Sequence, residues 1–339
     1  MKLIRIEQDR IDRNSKMKSK AQIKFVVVCL AGLMAGFAQA AEWQPLFNGS
    51  DLDGWKQVGG EATYKVVGDE VVGYTVADTP NSFLVTEKTY SDFILEYETR
   101  LGLPSNSGVQ FRSYIGDNGI LQGYQAEVDP TYRRFSGGLY DEKRRRWLYP
   151  LTRNEKARDA FRNGDWNHFR IEAIGNTLRI WVNGVQTADM VDDMTAEGFI
   201  GLQVHSIKDS AHEGRTVHWR NVRILTEDLE ANRKPRDPEV VQISYLNNEL
   251  TDYEVRQGWR LLWDGKTTDG WRGAKLDHFP KSGWTIEDGV LSVEESGGGE
   301  SAAFGDIVTM DSFSNFELVF EFKLSEGANS GVKYFVDPD

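Results

Sequence analysis

The sequence predicts an all-β protein, an antiparallel sandwich or jelly roll that is duplicated, with its second copy cut short. Aromatic residues make up 12% of the 339 residues, ten of them Trp, and there are 33 glycines. Such a composition favours strands and tight turns over helical bundles. Short segments alternate apolar and polar residues with a period of two, and residues 43–225 contain no strong amphipathic helix. Together these observations indicate stacked antiparallel sheets.

The clearest strand is predicted over residues 93–101, where five apolar or Thr side chains alternate with Ile94, Glu96, Glu98 and Arg100. Residues 169–174 and 177–182 are joined by Gly-Asn, and a second turn, Asn-Gly, follows them. This pattern predicts two consecutive hairpins. Residues 200–207 and 217–225 complete the strands that are expected in the first copy.

The N-terminus has the pattern of a secretory signal peptide. An apolar run over residues 25–37, which is too short to span a bilayer, follows three lysines and precedes Ala38-Gln39-Ala40. We therefore expect residues 1–40 to be removed after Ala40, with Met17 as an alternative start. The only cysteine, Cys29, lies in this run. The mature protein is then expected in the periplasm or secreted, with neither a disulfide nor an integral membrane segment.

An internal repeat indicates duplication. The segment 43–55 recurs at 259–271, an offset of 216 (259 minus 43), and 93–101 recurs at 316–324, an offset of 223 (316 minus 93). We expect a first jelly roll over 41–226 and the N-terminal half of a second over 259–339. Between them, 227–258 is interpreted as a linker with a short helix, because Thr251 and Glu254 fit a capping box and Gly258 a helix end.

Polar side chains on three strands suggest a binding face. They lie opposite the apolar side of their own strands, beside the aromatic residues Tyr140 and Trp147. Planar polar groups and aromatic rings on a concave sheet are typical of sugar sites, although any single strand could simply present a solvated face. The net charge of −12 argues against a nucleic-acid partner. The expected site residues are Gln110, Arg112, Gln125, Glu127, Asp129, Gln203 and His205.

The chain resembles the 3-keto-disaccharide hydrolase family, whose fold is a concanavalin A-like jelly roll. Seven motifs carry the resemblance over residues 43–226, and the front half of the family pattern recurs after residue 258. The motifs are Leu46-Phe-Asn-Gly with Asp53-Gly-Trp55, Asn106-Ser-Gly-Val-Gln-Phe-Arg112, Gly137-Gly-Leu-Tyr-Asp141, Gly164-Asp-Trp-Asn-His168, Asn183-Gly184, Gly201-Leu-Gln-Val-His205 and Trp219-Arg-Asn-Val222.

The resemblance implies action on sugars that a separate dehydrogenase has oxidised at C3. A C3 ketone acidifies the C2 proton, so a base can remove it, the C1 oxygen can leave, and water can add. Glu127 or Asp129 is expected to be the base, Arg112 to hold the ketone oxygen, and His205 to act as acid or base. Gln110, Gln125, Gln203, Tyr140 and Trp147 are expected to bind the sugar. The route requires no cofactor and no metal-ligand set is predicted, but a divalent cation could polarise the ketone.

The sequence departs from the family pattern at two places, and two other functions remain as alternatives. Gln125 and Glu127 stand in the reverse of the usual acid–amide order, and in the second copy Lys333 and Phe335 replace Gln110 and Arg112. A jelly roll also serves as a non-catalytic carbohydrate-binding module. A conventional two-carboxylate glycosidase is a further alternative.

Overall fold

The computed structural model describes residues 42–102, 105–117, 119–294 and 305–336. The predicted signal peptide lies outside the described residues. The described chain divides after Tyr245 into two compact units. Among the described residues, no helix is both long and apolar enough to cross a membrane.

The first unit contains a nine-stranded sheet, called sheet A. Eight of its strands follow the order β16-β13-β12-β11-β6-β15-β4-β3, and β1 pairs separately with β15. Every pairing is antiparallel except that of β13 with β16. The strands are β1 (Gln44–Pro45), β3 (Thr63–Val67), β4 (Glu70–Tyr74), β6 (Phe93–Leu101), β11 (Asn167–Ile174), β12 (Thr177–Val182), β13 (Val185–Val191), β15 (Thr216–Leu225) and β16 (Ile243–Ser244).

Sheet B stacks against sheet A in the same unit. It has seven antiparallel strands in the order β10-β9-β8-β7-β14-β5-β2. Short 3-10 turns at Leu151–Arg153, Glu155–Asp159 and Ser210–His212 lie in its connections. The strands are β2 (Trp55–Gly59), β5 (Ser82–Thr86), β7 (Ser107–Ile115), β8 (Leu121–Val128), β9 (Leu139–Glu142), β10 (Arg146–Tyr149) and β14 (Phe199–Val204).

The hydrophobic core lies between the two sheets. Phe93 of sheet A meets Phe111 of sheet B edge to face at 6.4 Å, and the Tyr64 hydroxyl donates to the Leu202 carbonyl oxygen across the sandwich. The prediction of an all-β jelly-roll sandwich is therefore confirmed. The strand expected over 93–101 is β6 without change, and the two expected hairpins are β11, β12 and β13.

Residues 227–245 pack on the first unit rather than forming an independent linker. This segment, which we call the strap, contains helix α1 (Leu229–Asn232) and ends in β16. It supplies partners to buried groups of sheet A: the Lys234 amide donates to Glu172 at 2.8 Å, and Arg236 pairs with the fully buried Asp189 at 2.5 Å. Sequence analysis missed this role because single charged partners leave no periodic pattern.

The second unit begins with helix α2 (Asp252–Arg256), and its predicted capping box between Thr251 and Glu254 is confirmed. Its strands form two small sheets, in which β17 pairs with β20 and β18 with β19. They are β17 (Trp271–Gly273), β18 (Trp284–Glu287), β19 (Val290–Val293) and β20 (Ile307–Thr309).

One turn has the same hydrogen bonds in both units, which supports the proposed duplication. The Trp55 indole donates to the Leu46 carbonyl oxygen at 2.8 Å, and Trp271 donates to Leu262 at 2.7 Å with the same spacing. The expectation of a strand over 316–324 is wrong, because these residues form no sheet pairing and Phe322 is 72% exposed. The corresponding strand β6 is stabilised by β11 and β15, and 316–324 has no such neighbours among the described residues.

Candidate functional site

The outer face of sheet B carries a cluster of buried polar side chains. Strand pairing places Gln110 of β7 opposite Gln125 of β8, and Gln125 opposite Tyr140 of β9. Gln203 of β14 joins them, since Gln125 Nε2 lies 3.4 Å from Gln203 Oε1. The period-two argument from sequence therefore holds for these strands. We call this group, with Glu127, Glu142 and Asn106, the polar face.

Glu127 is the most constrained carboxylate of the polar face. Only 5% of the residue is exposed, and both carboxylate oxygens accept a hydrogen bond: Oε1 from Asn106 Nδ2 at 2.7 Å and Oε2 from Gln125 Nε2 at 3.0 Å. Burial raises the pKa of Glu127 to about 7, with help from the charges of Asp129 and Glu142, although the two amide donors oppose the rise. A carboxylate with such a pKa suits proton transfer near neutral pH.

Three glutamines form a ladder across the polar face. Gln110 Nε2 lies 3.4 Å from Gln125 Oε1, and Gln125 in turn reaches both Gln203 and Glu127. Gln110 Oε1 and Gln203 Nε2 are buried and have no hydrogen-bond partner within the described part of the chain. An acceptor and a donor are thus left for a ligand at the two ends of the ladder, since buried polar atoms are normally paired.

Glu142 is a second carboxylate on this face, and sequence analysis missed it. It is 6% exposed and accepts from Asn81 Nδ2 at 3.3 Å, with Lys143 Nζ at 3.8 Å. Burial raises the pKa of Glu142, while Lys143, His205 and Asn81 oppose the rise. The sequence could have predicted its position, because Glu142 is two residues after Tyr140 in β9 and therefore lies on the same face of the strand.

The hydrogen bond between Asn81 and Glu142 also shows that the segment before β5 reaches across the polar face. Asn81 directly precedes β5, and three strands separate β5 from β9 in sheet B. In a flat sheet, strands four positions apart would be about 19 Å from each other, too far for two short side chains to meet. The chain must therefore curl over this face, which leaves its polar groups buried.

Aromatic side chains border the polar face on one side. Trp147 packs edge to face with Tyr140 at 5.2 Å and with Phe135 at 5.1 Å, and the Arg133 guanidinium lies 5.6 Å from the Trp147 ring centre. Burial raises the pKa of Tyr140, and the nearby charges of Glu142 and Glu127 raise it further. The structure thus brings the two predicted aromatic residues together beside Glu127.

His205 lies at the end of β14 and is half-buried. Its Nδ1 is 2.7 Å from the Ser206 carbonyl oxygen, an acceptor, which fixes the proton on Nδ1 and leaves Nε2 as an acceptor in the neutral ring. Its charge acts on Glu142, so it lies near the polar face.

Arg112 does not join the polar face, and this expectation is wrong. A register shift between Phe111 and Tyr114 and a positive φ of 44° at Arg112 reverse the direction of its side chain. The guanidinium donates to the carbonyl oxygens of Ser91 and Gly175 and pairs with Asp92 at 2.8 Å. Arg112 therefore connects β7 to two loops of sheet A and cannot contact a ligand beside Glu127.

Asp129 lies near Glu127 but is committed to a turn. Its Oδ1 accepts from the Thr131 amide at 3.1 Å, and its Oδ2 lies 2.9 Å from Arg133 Nε. The residue is fully buried, and the Thr131 amide and Arg133 hold its carboxylate in the turn. Its negative charge still contributes to the raised pKa of Glu127.

Two further observations concern the rest of the described residues. Within the described ranges, no three His, Cys, Asp or Glu side chains are arranged to hold a metal ion. A groove of about 510 Å³ lies on the outer face of sheet A, where Glu96 and His168 are among its lining residues. Burial opposes ionisation of Glu96, but hydrogen bonds from His168, Arg223 and Arg170 outweigh it and lower its pKa, which makes Glu96 a poor base.

Comparison with known proteins finds a family profile that covers the sandwich and a relative that matches part of the chain. Residues 42–225 and 258–339 match the family profile described as the 3-keto-alpha-glucoside-1,2-lyase-like domain. A 3-keto-disaccharide hydrolase from Bacteroides thetaiotaomicron is 48% identical over 79 residues. That match covers 23% of this chain and 27% of the relative, so the chain spans about a quarter of the relative's length.

Solved structures resemble the chain in fold. The carbohydrate-binding module CBM66 from Bacillus subtilis is 20% identical, with a TM-score of 0.37, over 51% of this chain and 95% of the module. A protein of unknown function with a galectin-like fold, also from Bacillus subtilis, is 13% identical, with a TM-score of 0.38, over 55% of this chain and 94% of that protein.

Proposed function

This chain belongs to the 3-keto-alpha-glucoside-1,2-lyase-like family, and on that premise we propose that it cleaves 3-keto-glycosides by elimination and hydration. The observation that carries the proposal is Glu127, a buried carboxylate held by two amide donors on the polar face, with a pKa of about 7. The relative from Bacteroides thetaiotaomicron supports a hydrolase that acts on sugars.

Glu127 would act as the base that removes the C2 proton. The C3 ketone makes this proton acidic, and the electron pair moves into an enolate on the C3 oxygen. Asn106 and Gln125 hold the carboxylate in place, yet each oxygen keeps a second lone pair for the proton. A positioned base of this kind contributes about 10²–10⁴-fold to a rate.

The enolate oxygen requires a donor, and Gln203 replaces Arg112 in this role. Gln203 Nε2 is buried and has no partner among the described residues, and it lies on the strand next to β7. A pre-positioned donor stabilises charge that develops in the transition state. Gln110 would accept from a sugar hydroxyl through its unpartnered Oε1, and Tyr140 and Trp147 would pack against the ring.

The substrate is proposed to come from a separate enzyme that oxidises a sugar at C3, because the elimination needs that ketone. The protein is proposed to act in the periplasm or outside the cell, supported by the signal-like sequence over 25–40. N-terminal sequencing of exported protein should then begin near Ala41. A divalent cation bound at the ketone would polarise it, and none of the proposed steps requires one.

The test is turnover of a 3-keto-disaccharide by the purified protein, alongside the unoxidised disaccharide, with and without a chelator. We expect cleavage of the oxidised substrate only, and a fall of about 10²–10⁴-fold in Glu127→Gln. The matched control is Glu61→Gln, since Glu61 is an exposed carboxylate. Normal turnover in Glu127→Gln would contradict the assignment of the base.

A carbohydrate-binding module is the second candidate, favoured by the aromatic residues at the border of the polar face. It predicts saturable sugar binding by the folded protein without release of any product. Cleavage of the unoxidised disaccharide would instead support a conventional glycosidase that uses two carboxylates.

A further inference from the structure

The polar face contains two buried carboxylates with different surroundings. Glu127 accepts a hydrogen bond on each oxygen, which favours its ionised form. Glu142 accepts a hydrogen bond on Oε1 only, from Asn81, and within the described residues its Oε2 has no donor. A carboxyl group can carry a proton on an oxygen without a donor and can pass it on. Neighbouring titratable groups in unequal environments commonly divide into a base and an acid.

From this difference we propose that Glu142 is the general acid that protonates the departing glycosidic oxygen, an inference that rests on the proposed function. In the elimination, Glu127 takes the C2 proton, the C1–C2 double bond forms, and the C1–O bond breaks with its electron pair going to the oxygen. That oxygen takes the proton of Glu142. When water adds, Glu142 regains a proton from it, the hydroxyl joins C1, and C2 takes a proton from Glu127, whose carboxyl has exchanged with solvent after the leaving group departs.

Three observations place Glu142 in this role rather than His205. Glu142 and Glu127 lie close enough for the charge of Glu142 to act on Glu127, and both act on Tyr140 between them. Glu142 faces Gly123 on β8, which has no side chain to cover it. His205 lies just beyond the end of β14, and its Nδ1 is engaged with the Ser206 carbonyl oxygen at 2.7 Å, so only its Nε2 is left to face a leaving group.

Burial raises the pKa of both carboxyl groups, so the assignment of acid and base rests on their hydrogen bonds and positions rather than on this rise. Lys143 acts in the opposite direction but lies 3.8 Å from the carboxylate and is half exposed, so its charge is partly screened.

The experiment compares two leaving groups in the full chain and in Glu142→Gln. One substrate is a 3-keto-disaccharide, whose sugar alkoxide needs a proton in order to leave. The other is 4-nitrophenyl 3-keto-glucoside, whose phenolate leaves without one. We expect Glu142→Gln to lose about 10²–10⁴-fold on the disaccharide and less than about tenfold on the nitrophenyl substrate.

Equal losses on both substrates, or no loss on the disaccharide, would overturn the assignment of Glu142. If the unaltered protein cleaves neither substrate, the proposed function itself fails and the inference falls with it. Glu127→Gln is the reference variant, because loss of the base should impair both substrates alike. If Glu142→Gln does not fold, Glu142→Ala is compared on the same two substrates: a loss confined to the disaccharide is expected, and equal losses on both substrates in a folded variant contradict the proposal.

Discussion

Glu127 connects the electrostatics of the polar face to the stability of the protein. Its pKa rises from an ordinary 4.5 to about 7 in the folded state, so the folded protein binds this proton more tightly than the unfolded chain. The stabilisation is complete below about pH 4.5 and is lost as the pH rises through about 7. The ionised form of Glu127, which the proposed base requires, is therefore the form in which this residue stabilises the folded protein least.

Replacing Glu127 by Gln should remove this pH dependence. The variant should gain stability relative to the original protein as the pH rises from 4.5 to 8, by up to about 3 kcal/mol for a shift of this size. Denaturant unfolding of both proteins across that range measures the difference. The pKa argument is wrong if the difference in the free energy of unfolding is constant with pH.

Arg112 is a structural residue in this account, and its replacement should act on stability. Arg112→Ala leaves the carbonyl oxygens of Ser91 and Gly175 without their donor. We expect a loss of about 2–4 kcal/mol in the free energy of unfolding. The KM of the folded variant should not change. Urea unfolding measures the loss of stability, and steady-state kinetics measures KM. A large rise in KM at unchanged stability would return Arg112 to the binding site.

At the scale of the element, the side chain of Gln125 in strand β8 has room only because residue 108 in the adjacent strand β7 is a glycine. An added Cβ at Gly108 of β7 would lie 2.5 Å from Cγ and Cδ of Gln125, so the Gln125 side chain would have to move. Gln125 is one of the two donors that hold Glu127 and lower its pKa. The position of a catalytic side chain is thus linked to a glycine on the adjacent strand.

Gly108→Ala should therefore impair turnover more than folding. We expect a fall of at least about tenfold in kcat and a shift of the ascending limb of the pH–rate profile to higher pH, since one donor to Glu127 is lost. Gly331→Ala is the control, because its added Cβ would meet nothing within 4 Å. An unaltered pH profile in Gly108→Ala would refute the role of Gln125 in holding Glu127.

The period-two pattern predicted most of the strands and the direction of Gln110, Gln125, Glu127 and Gln203. It failed at Arg112, because a bulge reverses side-chain direction and no residue type marks it in the sequence. It also could not predict the contact of Asn81 with Glu142, which depends on the path of the loop before β5 across the polar face. Local alternation determines which face a residue takes, and the long-range path of the chain determines which residues meet.

At the scale of the whole molecule, the first folding unit extends to the end of the strap. Residues 227–245 provide partners for Glu172 and Asp189, which are buried and charged. Removing the strap would leave these carboxylates with fewer donors, and an uncompensated buried charge is strongly destabilising. The sequence pattern predicted that the first jelly roll ends at residue 226, whereas the packing extends this unit through the strap to Tyr245.

We expect residues 42–245 to melt cooperatively at a higher temperature than residues 42–226. Within the longer protein, Arg236→Ala should lower the free energy of unfolding by about 1–3 kcal/mol, because Asp189 retains Arg179 and Gln242 as partners. Calorimetry of the three proteins measures both effects. Equal melting temperatures for the two lengths would show that the strap adds nothing to the fold.

The central claim is that the protein removes the C2 proton of a 3-keto-glycoside and later returns a proton to the same carbon. The most direct test is NMR of the sugar product formed in D₂O from a substrate with ¹H at C2, with an enzyme-free sample to correct for spontaneous exchange. Elimination and hydration place deuterium at C2 of the product, and Glu127→Gln should slow its appearance together with turnover. Product that keeps ¹H at C2 while the glycosidic bond is cleaved would contradict the account, since direct hydrolysis at C1 leaves C2 untouched.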